Sequence, residues 1–254
     1  MEELGTVPVM SPEEVREAIA KARVASKIWK KSSFAQRRKL LLTMLRYIIS
    51  HQKEICEISA RDSGKPMVDA AFGEVIVTCE KIWWLVKEGE YWLRPESRSA
   101  STMMFYKRAR VEYHPVGVVG AIVPWNYPFH NMFNPLTAAL FAGNALVLKV
   151  SEHAAWSGSK YAGLVRAALA AAGAPADLFQ LVTGYGEAGA ALVSGGVDKL
   201  VFVGSTGVGR EVLRGAAETL TPVVLELGGK DAFVVCDDAD VEQVMHTALR
   251  GCFQ

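Results

Sequence analysis

Residues 116–128 read VGVVGAIVPWNYP, a β-branched apolar run that ends in a proline-flanked turn. A continuous apolar run of this kind, in contrast to an alternating one, is typical of a strand buried on both faces of a parallel sheet. Similar runs return downstream, separated by alanine-rich helical stretches, of which the clearest are 157–172 and 206–220. The predicted strands are 116–123, 145–150, 178–182, 199–203, 223–227 and 232–236. This alternation predicts an α/β fold with a Rossmann-like, doubly wound parallel sheet, which binds ligands at the carboxyl ends of its strands.

The first hundred residues, by contrast, carry helix signals. Ser11 with Glu14 has the spacing of a capping box, and Gly64 has the position of a helix stop, with a proline shortly after it. A long helix follows, in which Trp83 and Trp84 are predicted to be packing anchors. A polar, β-prone stretch then indicates an extended arm or hairpin that crosses to another subunit or domain. These patterns divide the chain into N-terminal helices at 1–97, the arm at 98–115 and a Rossmann-like core at 116–254.

Composition and charge argue against several classes of partner. Half of the 254 residues are apolar, the net charge is +1 and no long Lys or Arg run occurs, which does not favour binding to nucleic acid or to anionic membranes. No apolar run reaches the roughly 18 residues that cross a bilayer, so no membrane segment is predicted. The four cysteines lack metal-site spacing. We therefore expect no metal, and reduced, mostly buried thiols in the cytoplasm or another reducing compartment.

Polar groups follow the first two predicted strands where packing alone does not require them. Pro124-Trp125-Asn126 forms a stiff turn that places a neutral amide at the edge of the sheet, and an amide can donate to a developing oxyanion. Lys149 and Glu152 follow the next strand, where a carboxylate can accept from ribose hydroxyls and would repel a 2′-phosphate. A turn asparagine bonded to local backbone, and a surface ion pair, are the structural alternatives.

Glycine-rich turns follow two later strands. Gly204, Ser205, Thr206 and Gly209 run directly into a helix, and glycines beside a helix N-terminus let backbone N–H groups approach a phosphate. The order is G-x-x-G-x-G, which differs from the dinucleotide fingerprint G-x-G-x-x-G. Gly186 belongs to a second turn of this character. Glycines that only form turns are the alternative interpretation.

A single carboxylate interrupts the apolar run at 223–227. Glu226 lies inside that run and is followed, after one leucine, by two glycines. Because a carboxylate in an apolar strand is costly to ionise, we expect burial to raise the pKa of Glu226 toward the range of a general base. A buried glutamate held by backbone N–H groups is the alternative.

The order of these motifs resembles the aldehyde dehydrogenase superfamily over nearly the whole chain. The motifs are PWNYP at 124–128, K-x-x-E at 149–152, GSTGVG at 204–209 and LELGGKDA at 225–232. In that family a cysteine thiolate attacks an aldehyde, hydride passes to a nicotinamide, and water releases a carboxylic acid from the thioester. The resemblance thus implies NAD as cofactor, with NADP less favoured, a small-molecule aldehyde as substrate, and a homo-oligomer, either a dimer or a tetramer.

The resemblance also implies roles for individual residues. Asn126 matches the amide that stabilises the oxyanion, and Glu226 matches the general base. The implied cofactor-binding positions are Pro124, Trp125, Lys149, Glu152, Gly186, Gly204, Ser205, Thr206 and Gly209. One departure is Val150, which stands where many relatives have proline.

A second departure concerns the nucleophile. Relatives continue past Gln254 into a loop that carries the catalytic cysteine, whereas Cys252 precedes that loop and is expected to be a structural thiol on a helix that begins near Asp240. We therefore expect these residues to form the cofactor-binding half of the enzyme and to oxidise no aldehyde by themselves. A catalytically inactive, truncated NAD-binding or partner-binding paralogue is one alternative. Another is a phosphorylating reductase of the same broad fold, against which Glu226 argues because an activated water serves hydrolysis.

Overall fold

The computed structural model describes residues 3–253. The first two residues of the predicted segment 1–97 and the last residue of the predicted segment 116–254 therefore lie outside the described residues. The N-terminal helices are α1 (Pro12–Trp29), α2 (Phe34–Ser50), α3 (Gln52–Ser63), α4 (Met67–Ala70) and α5 (Val77–Trp92), with a π-helical segment (Ala71–Ile76) between α4 and α5. The capping box of Ser11 with Glu14 is confirmed. Gly64 ends α3 with a φ of 79°, a left-handed conformation that favours glycine.

A two-stranded antiparallel hairpin follows the helices. Its strands are β1 (Glu96–Arg98) and β2 (Ala109–Val111), so the segment predicted as an extended arm does form a hairpin. The α/β part then alternates regularly. Its elements are β3 (Val118–Val123), α6 (Pro128–Phe141), β4 (Ala145–Val150), α7 (Ala155–Ala172), β5 (Phe179–Val182), α8 (Gly186–Ser194), β6 (Lys199–Gly204), α9 (Thr206–Ala217), β7 (Val223–Leu227) and α10 (Val241–Phe253).

The large sheet is parallel throughout and has the strand order β5-β4-β3-β6-β7. The chain builds outward from β3 in one direction and then returns to add β6 on the other side of β3. The order therefore reverses between β3 and β6, and the carboxyl ends of these two strands define the crevice where such sheets bind ligands. Helices α1, α8 and α9 form one layer, and α6 and α7 form a second. The predicted doubly wound fold is confirmed.

The prediction of a strand at 232–236 was wrong. These residues are not in a strand, and Val234 is 80% exposed. The strand β7 lies at the edge of the sheet, and no described strand pairs with its outer side. An isolated extended segment leaves its N–H and C=O groups without a ladder, so β-branched composition alone does not make it a strand.

One apolar core joins the N-terminal helices to the sheet. The indole of Trp29 donates to the carbonyl of Leu140 at 2.8 Å, which connects α1 to the end of α6.

Two sequence predictions about side-chain burial were wrong. Trp83 and Trp84 are about half exposed, and they are not packing anchors within the described residues. Among the cysteines, Cys56 is buried and Cys79 is half-buried, but Cys236 and Cys252 are exposed.

Candidate functional site

The site residues predicted from the sequence fall at the carboxyl edge of the sheet. The Pro124-Trp125-Asn126 turn follows β3, and Ser205 follows Gly204, the last residue of β6, so these two groups flank the point where the strand order reverses. The remaining predicted positions follow the other strands at the same edge. They are Lys149 and Glu152 at β4, Gly186 after β5 and Glu226 in β7.

The side chain of Asn126 is held so that its amide nitrogen faces outward. The Nδ2 group of Asn131, on the first turns of α6, donates to Oδ1 of Asn126 at 3.2 Å and to the carbonyl of Pro124 at 3.4 Å. Asn126 is exposed, and its Nδ2 has no acceptor among residues 3–253. Because the oxygen is occupied by Asn131, the free group of this amide is a donor. The arrangement suits an amide that donates to a substrate oxygen.

The main chain of this turn rests on a buried carboxylate that sequence reasoning missed. Glu74, in the π-helical segment, is fully buried, and its Oε2 accepts from the backbone N–H groups of Phe129 at 2.7 Å and His130 at 3.3 Å. Glu74 thereby caps the N-terminus of α6, where a negative charge is favourable. Its Oε1 accepts from Lys65 Nζ and from Ser59 Oγ, both at 2.8 Å.

Lys65 connects this carboxylate to the turn itself. Its ammonium donates to the backbone carbonyl of Asn126 at 2.6 Å and lies 3.9 Å from the centroid of the Tyr127 ring. A sequence signal for Glu74 does exist. Ala70, Glu74 and Thr78 recur at intervals of four residues along one buried helical stripe, and Glu74 is its only charged member.

Lys149 and Glu152 lie close together at the end of β4, with very different exposure. The Lys149 side chain is only 6% exposed, and its Nζ lies 3.9 Å from Oε2 of Glu152, whose side chain is 41% exposed. Burial lowers the pKa of the Lys149 ammonium, and the Glu152 carboxylate opposes this only in part. Glu152 lines a cleft of about 250 Å³ together with Trp156 and Thr183. A half-exposed carboxylate beside a cleft can accept from a diol such as a ribose.

Two helix N-termini meet the same edge. Ser205 caps α9 by accepting from the N–H of Val208 at 3.4 Å, so Thr206 is the first residue of α9 and its N–H lies at a free helix end. Gly186 begins α8, and a Cβ at that position would meet nothing within 4 Å. Open space and unpaired N–H groups at a helix N-terminus suit a pyrophosphate.

Gly204 and Gly209 contribute by close packing. A Cβ on Gly209 would lie 2.7 Å from Leu227 Cδ2, and one on Gly204 would lie 2.7 Å from Phe202 Cζ. Gly209 is buried. Gly209 thus lets α9 approach the sheet closely, and its place among the cofactor-binding positions stays a prediction.

Glu226 is exposed, contrary to the sequence prediction. Its strand, β7, lies at the edge of the sheet, and residues 3–253 place nothing over its side chain. The burial that the sequence predicts for Glu226 is therefore absent. In this structure the carboxylate is accessible to solvent, as a group that exchanges protons with water must be at some stage.

The strand register places the two kinds of site residue on opposite faces. Lys149 is in register with Ile122, and Ile122 with Phe202, whereas Glu226 is in register with Val203. Because successive side chains of a strand alternate between faces, Lys149 and Glu226 project in opposite directions. Lys149 lies under α8, since a Cβ on Gly189 would be 3.5 Å from its Cδ.

The opposite face, which carries Glu226, is the α6 face. A groove of about 390 Å³ there is lined by Val203 together with Asn131 and Asn134 of α6. Asn131 is also the residue that holds Asn126. An elongated ligand that crosses the carboxyl edge between β3 and β6 would thus meet Lys149 and Glu152 on one face and the Asn126 amide with the Glu226 carboxylate on the other.

The described part of the chain holds neither a candidate metal cluster nor a candidate membrane-spanning helix. Among residues 3–253, no group of three or more His, Cys, Asp or Glu side chains is arranged to hold a metal ion. No helix within the same range is long and apolar enough to cross a bilayer.

Known proteins match this arrangement along the whole chain. The model of the aldehyde dehydrogenase family matches residues 1–254. An aldehyde dehydrogenase-like protein of Schizosaccharomyces pombe is 42% identical over 99% of this chain and 48% of its own length. The NADP(+) succinate-semialdehyde dehydrogenase GabD of Escherichia coli is 34% identical over 100% of this chain and 51% of its own length.

Solved structures agree with these relatives. An NADP-dependent enzyme from E. coli has a TM-score of 0.90 at 33% identity, covering 99% of this chain and 51% of its own. The NAD+ complex of an aldehyde dehydrogenase from Bacillus cereus has a TM-score of 0.86 at 31% identity, covering 96% of this chain and 49% of its own. The chain thus spans about half the length of the curated relatives that it matches. It belongs to the aldehyde dehydrogenase family.

Proposed function

We propose that the protein that carries this chain oxidises an aldehyde to a carboxylic acid with NAD, and that this chain supplies the cofactor-binding half. The observation that carries the proposal is the arrangement at the carboxyl edge of the sheet. The oriented amide of Asn126 and the carboxylate of Glu226 belong to the α6 side, while Lys149 and Glu152 lie at the end of β4 toward α8.

Asn126 has the role of oxyanion donor. When a nucleophile adds to the aldehyde carbon, the carbonyl oxygen becomes negative, and a preoriented N–H donor stabilises that charge without reorganisation. The Nδ2 group of Asn126 is already directed outward by Asn131. Removal of a single oxyanion donor typically lowers kcat by about 10²–10³-fold.

Glu226 has the role of general base, taking a proton from the nucleophile or from the water that releases the acid. The nucleophile is a cysteine in the part of its relatives' length that this chain does not span. Cys56 and Cys79 do not suit that role, because burial raises the pKa of both thiols and a thiolate is the reactive form. Cys252 is exposed on α10, and the family resemblance places it before the loop that carries the nucleophile.

NAD is the proposed cofactor, with NADP less favoured. When bound, its nicotinamide accepts the hydride from the substrate. The Glu152 carboxylate would bind ribose hydroxyls and would repel a 2′-phosphate. Thr206 at the start of α9 supplies backbone N–H groups for the pyrophosphate, and Ser205 fixes that helix end. The β1–β2 hairpin is proposed as the arm that joins subunits of a homo-oligomer.

Calorimetric titration of the chain with NAD tests the cofactor assignment. We expect binding in the micromolar to millimolar range that weakens in Glu152→Ala and in Ser205→Ala. Glu54→Ala, which removes an exposed acid on α3, is the matched control and should bind as the wild type does. Equal affinity in all four proteins would contradict the placement of the cofactor at this edge.

Kinetics of the full-length protein test the chemistry. Asn126→Ala and Glu226→Gln should lower kcat for aldehyde oxidation by about 10²-fold or more, with NAD affinity retained. A full-length protein that binds NAD but turns over no aldehyde would favour the inactive, partner-binding alternative.

A further inference from the structure

Glu74 and Lys65 form an ion pair that lies under the Asn126 turn. Glu74 is fully buried and the Lys65 side chain is 13% exposed, with Oε1 and Nζ separated by 2.8 Å. A buried ion pair is costly to desolvate, and replacing it with apolar groups often costs no stability. Stability alone therefore does not explain why charges occupy this position.

The hydrogen bonds of the pair show what it holds. Glu74 accepts from the first free N–H groups of α6, at Phe129 and His130. Lys65 donates to the carbonyl of Asn126, and to Glu74 itself. The turn between β3 and α6 is thus held at two points, by a carboxylate at the start of α6 and by an ammonium on the carbonyl of Asn126.

The neighbouring residues leave the pair little freedom to move. Ser59 donates to Glu74 at 2.8 Å, and Ser59 in turn accepts from the Tyr161 hydroxyl at 3.0 Å. Gly73 lies against the ring of Tyr127, where an added Cβ would be 2.7 Å from Cε1. Both oxygens of the Glu74 carboxylate have hydrogen-bond partners, so the ion pair holds the turn in one geometry.

We propose that Lys65 and Glu74 are positioning residues that hold the oxyanion amide of Asn126 in its reactive orientation. Neither side chain contacts the substrate in this proposal. They act on Asn126 through its backbone carbonyl and through the start of α6, which carries Asn131. The inference rests on the proposed function, because it assumes that the Asn126 amide stabilises an oxyanion.

A double-mutant cycle in the full-length protein tests the inference. Lys65→Met should lower kcat by 10- to 100-fold while changing KM for NAD by less than threefold. In an Asn126→Ala background the same substitution should lower kcat by less than threefold, because the group through which it acts is gone. Equal losses in both backgrounds would show that the pair does not act through Asn126 and would overturn the inference.

A double variant that neutralises both members of the ion pair distinguishes a positioning role from a role in folding. Lys65→Met leaves a buried carboxylate unpaired and should lower the melting temperature, and Glu74→Gln leaves the ammonium unpaired. The double variant Lys65→Met/Glu74→Gln should recover most of the melting temperature and still be slow. Recovery of kcat together with stability would assign the pair a purely structural role.

Failure of the proposed function gives a different result. If Asn126→Ala has the kcat of the wild type, the oxyanion assignment is wrong and the inference falls with it. If Asn126→Ala is slow but Lys65→Met is as fast as the wild type, only the inference is wrong.

Hydrogen exchange gives a readout that needs no activity. In Lys65→Met the backbone N–H groups of residues 129–131 should exchange at least tenfold faster than in the wild type. Lys39→Met is the matched control, because Lys39 also donates to a backbone carbonyl, that of Ala172, but far from the turn. Unchanged exchange at 129–131 in Lys65→Met would overturn the inference even for a protein without turnover.

Discussion

Replacing Lys149 with methionine should stabilise the folded chain and weaken NAD binding at the same time. The Lys149 ammonium is nearly fully buried, donates to the carbonyl of Val150 at 3.1 Å and lies 3.9 Å from Glu152. Because burial lowers its pKa below 10.5, the unfolded state binds more protons than the folded state between the two pKa values. Wild-type stability should therefore rise with pH in that window, and the rise should be absent in Lys149→Met.

The expected change in stability follows from the burial of Lys149 and the exposure of Glu152. Replacing a buried charge pair with apolar groups of similar volume stabilises by about 1–4 kcal/mol. We expect about 1–2 kcal/mol here, because Glu152 is 41% exposed and stays solvated once its partner is removed. For a chain of this size the melting temperature should rise by about 2–8 °C. As one of the implied cofactor-binding positions, Lys149 is expected to donate to the bound ribose, and loss of this charged donor should cost about 1.5–3 kcal/mol of binding, or about 10- to 150-fold in Kd.

Thermal unfolding with and without NAD, together with calorimetric titration, measures both effects. Lys53→Met is the control for the lost charge, because the Lys53 side chain is 85% exposed, and it should change neither quantity. A melting temperature for Lys149→Met below that of the wild type would refute the reasoning about desolvation. Unchanged affinity for NAD would refute the cofactor role of Lys149.

Three further outcomes are expected. Gly89→Ala should lower the unfolding free energy by about 1–2 kcal/mol in urea titrations, since its Cβ would overlap the ring of Phe141 and overpacking outweighs the better helix propensity; an unchanged midpoint would contradict the packing. Burial and Lys81 lower the pKa of His130, so stability should fall as pH drops below about 6.5, and His130→Gln should lessen that fall in melting curves. The 254-residue chain should oxidise no aldehyde, and steady NADH production by it would contradict the proposed location of the nucleophile.

Much of the fold could be predicted because the signals are local. Five of the six predicted strands form, with bounds that differ by at most two residues from the apolar runs. The capping box at Ser11 and the stop at Gly64 are set by residues within one helical turn. The strand predicted at 232–236 failed because strand formation depends on a neighbour at the sheet edge, which a local pattern does not reveal.

The same distinction, between local signals and dependence on neighbouring elements, applies to the candidate site. Asn126 and Ser205 follow strand ends that the sequence marks clearly, and the structure brings them to one edge. The prediction that Glu226 is buried was wrong, because the burial of a side chain on an edge strand depends on what covers that strand. Glu74 was missed because it pairs with Lys65, nine residues away, through a π-helical segment that shifts the helical register. The spacing of Ala70, Glu74 and Thr78 marks a buried helical stripe, but it does not reveal that Glu74 pairs with Lys65.

The placement of Lys149 and Glu226 on opposite faces of one sheet has a consequence for how this protein can diversify. On the proposed function, substitutions under α8 should alter what is recognised at the far end of a dinucleotide and leave the reacting end untouched. Substitutions along α6 should do the reverse. A library randomised beneath α8 should therefore yield variants with changed cofactor preference and an intact order of aldehyde preference, so the two traits can be selected separately.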